Sequence, residues 1–447
     1  MFRRFDIPIG DMNRTAQETI YADFKTGRLA ADYVPSPFPD VSQALQNYLA
    51  VCEKYEHMLL PNYHEFPEPE DIPDDLLMPF GEFAKKYDFE PALHQIFEVT
   101  GMGVGDMLHT PTMHVMQTFG APLARVFVTG PNVFQPVSRN NSELYGKIAE
   151  LLGDDVLYMS TAVDSERTES GVKLVVEGYD GSKTLVKAKK LLLAIEPTLD
   201  NVAPFDMDEQ ELDVFSKWIH TREYVGVVQH PSLPFNTSIV NIPDSARGMD
   251  LTALPTFPFQ PRFDHLPGSA DLFSVIVVMS ADSTSEDAMR LVEDHLKNMI
   301  TADTLPTAGS TEESMYPTIV AWGDHGPMHV HASNEEMKKG FIQRQYALQG
   351  GRSTYFTGAA WVGHFTTVVW EFNEAILPQL LREDKKHGKE HGKDKKKGKH
   401  ANHGNDKKHK GHGRQRGHGR HGRHGRHGGQ RDHGEHRDKP FWGSKIP

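Results

Sequence analysis

The sequence lacks paired cysteines, a long apolar run and the apolar core of a signal peptide. It has a single cysteine, Cys52, so no intrachain disulfide can form and the fold does not depend on an oxidising compartment. No stretch approaches the roughly 20 consecutive apolar residues of a membrane helix, and the N-terminal segment MFRRFDIPIG has no apolar signal-peptide core. We therefore expect a soluble chain without a membrane partner, and the sequence leaves its compartment open.

A clustered basic face is also absent from most of the chain. The net charge is -13, with 48 Lys and Arg against 61 Asp and Glu. From Arg382 onward there are 21 basic against 8 acidic residues, so the preceding 381 residues carry 27 against 53. Because phosphate binding needs clustered positive charge, this acidic body is not expected to bind nucleic acid.

The C-terminal segment has almost no apolar residues. Residues 382–447 are rich in His, Gly, Lys and Arg, as in HGRHGRHGR, and we predict that they form a disordered tail because burial cannot offset the entropy of ordering. A solvated polyelectrolyte is the simplest interpretation. Weak binding of metal ions or of anionic polymers is the alternative.

Residues 20–122 have a pattern that predicts helices. Asp40 and Gln43 frame an N-cap before VSQALQNYLAVCEKYEHML, and Pro91 opens the shorter helix PALHQIFEV. From Leu123 the pattern changes to short runs that favour strands: ARVFVTG, VLYMSTAV, VKLVVEG, TLVKA and KLLLAI, with the helix SELYGKIAELLG after the first.

Two details of the strand-rich region give sharper predictions. The pair Asp180-Gly181 is a strong hairpin signal, because type I′ turns need positive φ at both central residues. The run from Leu191 to Ile195 is apolar throughout, which predicts a strand buried on both faces.

Residues 204–333 alternate strands with one long helix. Strands are predicted at EYVGVVQ, SIVNI, FSVIVVM and TIVAWG, and the helix SEDAMRLVEDHLKNMI is entered through Ser283 and Glu286, which have capping-box spacing. Ser333 and Glu336 repeat that spacing before the next helix. This pattern indicates a small α+β unit with a helix packed on an antiparallel sheet.

The segment QGGRSTYFTGAAWVGHFTTVVWEFNEAILPQLL carries the most functional information. TYFTG predicts a strand ending at Gly358, a turn of small residues follows, and His364 to Leu377 has helical spacing. A glycine turn before a helix start favours the binding of a ligand through an electron-rich edge, because the unpaired backbone amides and the positive end of the helix dipole would point toward that edge. Ordinary βα structure gives the same pattern, so the residues alone leave both interpretations open.

The same segment resembles the end of fungal flavin amine-oxidase-like proteins of the β-cyclopiazonate dehydrogenase family. GMGVGDMLHTPTMHVMQTFG, the meander from GVKLVVEG to KAKKLLLAIEP, and VVQHPSLPFNTSIVN fit that family in the same order, and the similarity spans roughly Phe2 to Leu381. Members bind FAD through a strand, a G-x-G-x-x-G turn and a later acidic residue. The body of this chain has no such unit, and the glycines in GMGVG have the wrong spacing, so we interpret them as a loop.

The resemblance implies an α/β and α+β fold. An incomplete FAD/NAD(P)-binding (Rossmann-like) domain would carry a helical insertion and a small ferredoxin-like α+β substrate domain. The expected segments are a substrate-side helical region (1–122), the strand meander (123–203), the α+β domain (204–333), a closing helix, strand and helix (334–381) and the tail (382–447).

The resemblance also implies which residues of the turn would meet FAD. Gly358, Ala359, Ala360 and Trp361 would lie beside the ribityl chain and the flavin. Many flavin amine oxidases hold a ribityl hydroxyl with an acidic residue after the strand glycine. Alanine replaces that residue here, so we expect backbone to make the contact.

Three further positions are implied. Thr366 and Thr367 would face the pyrimidine edge of the flavin from the first turn of the last helix. Val163 matches the position whose backbone meets the adenine, and an ordinary core valine is the alternative.

The histidines of the body offer few candidates. His364 is a weak candidate for a base, since a histidine that only caps or packs is the commoner case. Asp324, His325, His329 and His331 cluster in WGDHGPMHVHAS, which a glycine-proline pair marks as a loop. Their spacing fits no zinc signature, so no metal site is expected.

The function implied is an FAD-dependent oxidoreductase that oxidises a small or medium-sized metabolite by hydride transfer to flavin. The substrate would be an apolar or amine-bearing secondary metabolite. The alternative is a catalytically inert, truncated relative that acts as a binding or interaction protein.

Overall fold

A computed structural model describes residues 1–11, 17–101, 104–130, 134–307, 309 and 311–382 of the chain. Met1–Leu381 belongs to one compact unit. The segment boundaries expected at 122, 203 and 333 stay predictions. The expected tail, apart from Arg382, and the middle of the GMGVG segment, Met102 and Gly103, lie outside the described residues.

The helices and strands are numbered along the chain. The helices are α1 (Phe38–Leu59), α2 (Asp74–Leu77), α3 (Phe80–Lys86), α4 (Leu93–Ile96), α5 (Thr112–Thr118), α6 (Ala121–Thr129), α7 (Ser142–Leu152), α8 (Leu199–Val202), α9 (Glu209–Phe215), α10 (Ser285–Thr301), α11 (Asn334–Met337), α12 (Phe341–Ala347) and α13 (Thr366–Leu380). The strands are β1 (Ile9–Asp11), β2 (Glu18–Ala22), β3 (Phe134–Pro136), β4 (Ser160–Thr168), β5 (Gly171–Gly178), β6 (Lys183–Ala188), β7 (Leu191–Leu193), β8 (Ile219–Gln229), β9 (Thr237–Asn241), β10 (Arg262–His265), β11 (Leu272–Ser280), β12 (Thr318–His331) and β13 (Thr354–Phe356).

The largest sheet has six strands in the order β12-β8-β11-β10-β9-β2. Alternate residues of β8 and β11, among them Tyr224, Val228 and Phe273, are fully buried beneath α10. The expected helix on an antiparallel sheet is confirmed. Its capping box forms one residue later than predicted, between Thr284 and Asp287, whereas Ser333 caps α11 as predicted.

Two segments differ from the predicted elements. Residues 20–22 are not helical, because β2 adds to the sheet in parallel beside β9, a pairing the local sequence does not reveal. ARVFVTG is not a strand: Pro122 opens α6, and Arg125 pairs from it with Glu53 and Glu56 of α1. Packing against α1 therefore decides a conformation that β-branched residues alone leave open.

The meander forms from β4, β5 and β6 as predicted, with a hairpin at Asp180-Gly181. Gly181 has a φ of 78°, but Asp180 is not among the residues with positive φ, so the turn is not the type I′ turn that the pair predicts. β7 then pairs in parallel with β13, Leu192 opposite Tyr355. The prediction that Leu191 to Ile195 is buried on both faces is wrong, because Leu192 and Ile195 are 38% and 39% exposed.

A buried ion pair ties the meander to the rest of the unit. The Arg167 guanidinium of β4 is fully buried and contacts Glu211 of α9 at 2.6 Å. It also donates to the carbonyl of Phe205 and to the hydroxyl of Thr354 on β13. This network fixes where β13 lies, and β13 leads directly into the turn described next.

Candidate active site

The turn between β13 and α13 depends on two glycines. Gly358 has a φ of 113°, a region that residues with a Cβ rarely adopt. Gly363 packs so closely on α5 that a Cβ would overlap with the carbonyl oxygen of Gln117. The side chain of Gln117 donates to the carbonyl of Val362 in the same turn, at 3.0 Å. The turn is therefore held against α5.

A small cavity of about 10 Å³, room for about one water molecule, lies against this turn. Four of its lining residues are histidines that come from three segments: His114 from α5, His329 and His331 from β12, and His364 just before α13. The remaining lining residues are Val104, Gln117, Thr118, Val330, Ala359 and Gly363. No acidic side chain lines the cavity among the residues the structure describes.

The end of β12 places two of these histidines. The segment predicted as a loop continues as strand to His331, with irregular register against β8 between Asp324 and Pro327 and between Met328 and His331. His329 lies in the second irregularity with a φ of 52°. Bulges turn side chains away from regular alternation, and strained backbone of this kind clusters at functional sites. The loop prediction was wrong because pairing with β8 overrides the glycine-proline signal.

Hydrogen bonds fix where the protons of two histidines lie. The backbone N–H of His329 donates to Nε2 of His364 at 2.7 Å, so neutral His364 carries its hydrogen on Nδ1. Nδ1 of His331 lies 2.5 Å from the carbonyl oxygen of His329, so His331 donates from Nδ1. Its Nε2 then keeps a lone pair, for which no partner is found in the described part of the chain. His364 thus contributes a donor from Nδ1, and His331 contributes an acceptor at Nε2.

Burial keeps these imidazoles neutral. It lowers the pKa of His114 to about 3 and that of His364 to about 4, and proximity to His331 adds to both shifts. Burial also lowers the pKa values of His329 and His331. At neutral pH the cavity therefore offers hydrogen bonds but no positive charge.

His114 is held by two oxygen atoms. Nδ1 lies 2.9 Å from the amide oxygen of Gln117 and Nε2 lies 3.1 Å from the carbonyl oxygen of Ala332. A neutral imidazole can donate to only one of them. Its ring packs 4.6 Å from that of His331, so His114 connects α5 to the end of β12.

The residues predicted from sequence lie in different surroundings. Gly358 and Ala359 are partly exposed, and Ala359 lines the cavity. Ala360 and Trp361 are buried, with Trp361 stacked on Phe356 at 5.3 Å. These two side chains pack the core behind the turn.

The other predicted positions are spread more widely. Thr366 and Thr367 are exposed in the first turn of α13, whose N-terminus has no side-chain cap. Val163 lies 38% exposed beside a bulge in β4, and nothing places it near the turn. His364 lies in the cavity. The contacts to FAD expected of these residues stay predictions.

Sequence reasoning missed the grouping of His114 with His329, His331 and His364. The four histidines come from segments up to 250 residues apart, and no local spacing signals their convergence. In the described ranges no group of three or more His, Cys, Asp or Glu side chains is arranged to hold a metal ion. Nor does any helix in those ranges have the length and hydrophobicity needed to cross a bilayer.

Comparison with known proteins places this chain in a family. No protein-family model matches the sequence. The FAD-dependent oxidoreductase oblC of Cochliobolus heterostrophus is 33% identical over 387 residues, which are 85% of this chain and 77% of the relative. The beta-cyclopiazonate dehydrogenase of Aspergillus flavus is 31% identical over 379 residues, 84% of this chain and 78% of the relative.

Solved structures show the same fold. A fatty acid isomerase from P. acnes matches 85% of this chain and 83% of its own at a TM-score of 0.63 and 18% identity. A redesigned putrescine oxidase matches 85% and 84% at a TM-score of 0.51 and 12% identity. The expected mixed α/β and α+β fold class is confirmed, and nothing in these comparisons supports the alternative of an inert binding protein. The identity over most of both chains shows that this chain belongs to the family of fungal FAD-dependent oxidoreductases that includes beta-cyclopiazonate dehydrogenase.

Proposed function

We propose that this chain is an FAD-dependent oxidoreductase whose substrate places its reacting O–H or N–H group against the histidine-lined cavity beside the Gly358–Gly363 turn. The observation that carries the proposal is that Ala359 of the turn lines a cavity containing four neutral histidines. The turn would face the flavin on one side and the substrate on the other.

The residues around the turn fit a flavin. Gly358 lets backbone approach a ligand closely, and the uncapped amides at the start of α13 favour an electron-rich ring edge. Thr366 and Thr367 are exposed there and supply hydroxyl groups. When bound, the flavin would accept a hydride from a C–H bond of the substrate.

The chain itself would orient the substrate and take its proton. His364, with its hydrogen on Nδ1, would donate to a substrate oxygen or nitrogen. As hydride leaves the carbon, the adjacent O–H or N–H loses a proton, and Nε2 of His331 would accept it. The lowered pKa of His331 keeps that nitrogen unprotonated through the neutral range.

The cavity also constrains the substrate. Because its described lining has no acidic side chain and no positive charge, the cavity favours an uncharged substrate group that has both a hydrogen-bond donor and an acceptor. Charged diamines fit it poorly. Beta-cyclopiazonate is a suitable first probe because it is the substrate named for a relative.

The test is to purify the chain, add FAD, remove free FAD by gel filtration and record the visible spectrum. We expect a yellow protein whose absorbance bleaches when beta-cyclopiazonate is added without oxygen. His331→Gln should keep the bound FAD and slow bleaching by about 100-fold, in line with the loss of a proton acceptor.

His57→Gln is the matched control, because His57 is exposed on α1 and should bleach at the unaltered rate. A folded, colourless protein that takes up no FAD would contradict the proposal. If the flavin of His331→Gln bleaches at the unaltered rate, His331 is not the proton acceptor, and the rest of the proposal still stands.

A further inference from the structure

Glu196 lies beside the same turn, where its carboxyl group meets the backbone amide of Ala359. β7 and β13 are parallel, so the segments that follow them leave the sheet at the same edge. Glu196 follows β7 by three residues and Ala359 follows β13 by three. Ligands of open α/β sheets bind at this carboxyl-terminal edge.

One oxygen of the Glu196 carboxyl group lacks a partner that its burial requires. Its Oε2 is buried and has no hydrogen bond among the described residues. Burial raises the pKa of Glu196 to about 7, while the backbone amide of Ala359 opposes this shift. Buried polar atoms are almost always paired, so an unpaired carboxyl oxygen beside a glycine turn points to a missing donor.

We propose that Glu196 binds a hydroxyl group of the ribityl chain of the flavin, an inference that rests on the function proposed above. Ala359 and Ala360 provide no acidic side chain at the turn, and the neighbouring strand brings one to the same place. This proposal differs from the sequence-based expectation that backbone makes the contact, and both stay to be tested by experiment.

The chemistry of the site favours a hydroxyl over other partners. A hydroxyl can donate to a carboxylate and can also accept from a protonated carboxyl, so it pairs with Glu196 in either state. A phosphate would repel the charged form. A cation would require further ligands, and no metal-binding group is found among the described side chains.

The experiment compares two flavins that differ at the ribityl chain. Riboflavin carries it and lumiflavin does not, and binding of each is followed by the quenching of its fluorescence. For Glu196→Ala we expect riboflavin to bind about tenfold more weakly and lumiflavin to bind unchanged. Glu196→Gln keeps an acceptor oxygen, so it should bind riboflavin about threefold more weakly and lumiflavin with unchanged affinity.

Glu374→Ala is the matched control, since Glu374 is exposed on α13, and circular dichroism checks that every variant is folded. If folded Glu196 variants bind both flavins equally more weakly, or bind both with unchanged affinity, the assignment of Glu196 is overturned. The proposed function would still stand. If the unaltered chain binds neither flavin nor FAD, both proposals are wrong.

Discussion

At the scale of single residues, protonation and hydrogen bonding decide what the site can do. The N–H of His329 fixes the hydrogen of His364 on Nδ1, and the carbonyl of the same residue fixes the hydrogen of His331. His329, the strained residue in the second irregularity of β12, therefore sets both tautomers. His364 was identified from sequence, but its use as a base is not supported by this geometry, because its Nε2 already accepts a hydrogen bond.

Glu196 should make stability depend on pH. Its folded pKa of about 7 exceeds the usual value of 4.5. Between these two pH values the native state therefore keeps a proton on Glu196 that the unfolded chain has released. The stabilising contribution of this proton is fully present below about pH 4.5 and is lost as the pH rises to 7, with an upper limit of about 3 kcal/mol.

Glu196→Gln removes this titration. In urea unfolding, the variant should gain free energy of unfolding relative to the unaltered chain between about pH 5 and pH 8. Glu150→Gln, at an exposed position on α7, should show no such gain. If the free energy of unfolding of Glu196→Gln differs from that of the unaltered chain by the same amount at every pH, Glu196 does not titrate as stated.

At the scale of elements, close packing of the turn on α5 shapes the cavity. Gly363 has no room for a Cβ next to the carbonyl of Gln117, and Gln117 also contacts His114. Shifting the turn would thus move the histidine contacts as well.

Gly363→Ala should separate the turn from α5. We expect a loss of about 2 kcal/mol in free energy of unfolding, typical of overpacking, together with weaker FAD binding. Gly351→Ala is the control, because nothing lies within 4 Å of a Cβ there. Calorimetry and FAD titration measure both effects, and equal behaviour of the two variants would contradict the packing argument.

At the scale of the whole molecule, charge is divided between an acidic body and a basic C-terminal segment. The core clusters and the candidate site involve residues before Arg382. The fold should therefore not require the segment that follows.

Deleting residues 383–447 should leave the thermal unfolding temperature and FAD uptake unchanged. The removed segment is too polar to contribute a core. A shift of more than about 3 °C in unfolding temperature, about 2 kcal/mol for a unit of this size, would show that the tail stabilises the body.

The sequence by itself determined the elements whose signals are local. The Asp180-Gly181 hairpin, the helix α10 and the strand, turn and helix around Gly358 follow from turn chemistry, capping and periodicity, which act between near neighbours. The ordered set of segments also identified the family. Helix α10 was predicted with its capping box one residue too early, because Ser283 and Thr284 are equally suitable caps.

Only the tertiary structure decided the rest. The parallel pairing of β2 with β9, the helical state of α6 and the continuation of β12 through a glycine-proline pair depend on neighbours far away in the chain. The same holds for the site, where His114 meets the carbonyl of Ala332 across 218 positions and the turn after β13 meets Glu196 through strand pairing. Packing energy between distant segments overrides local preference at these places, so no local pattern records them.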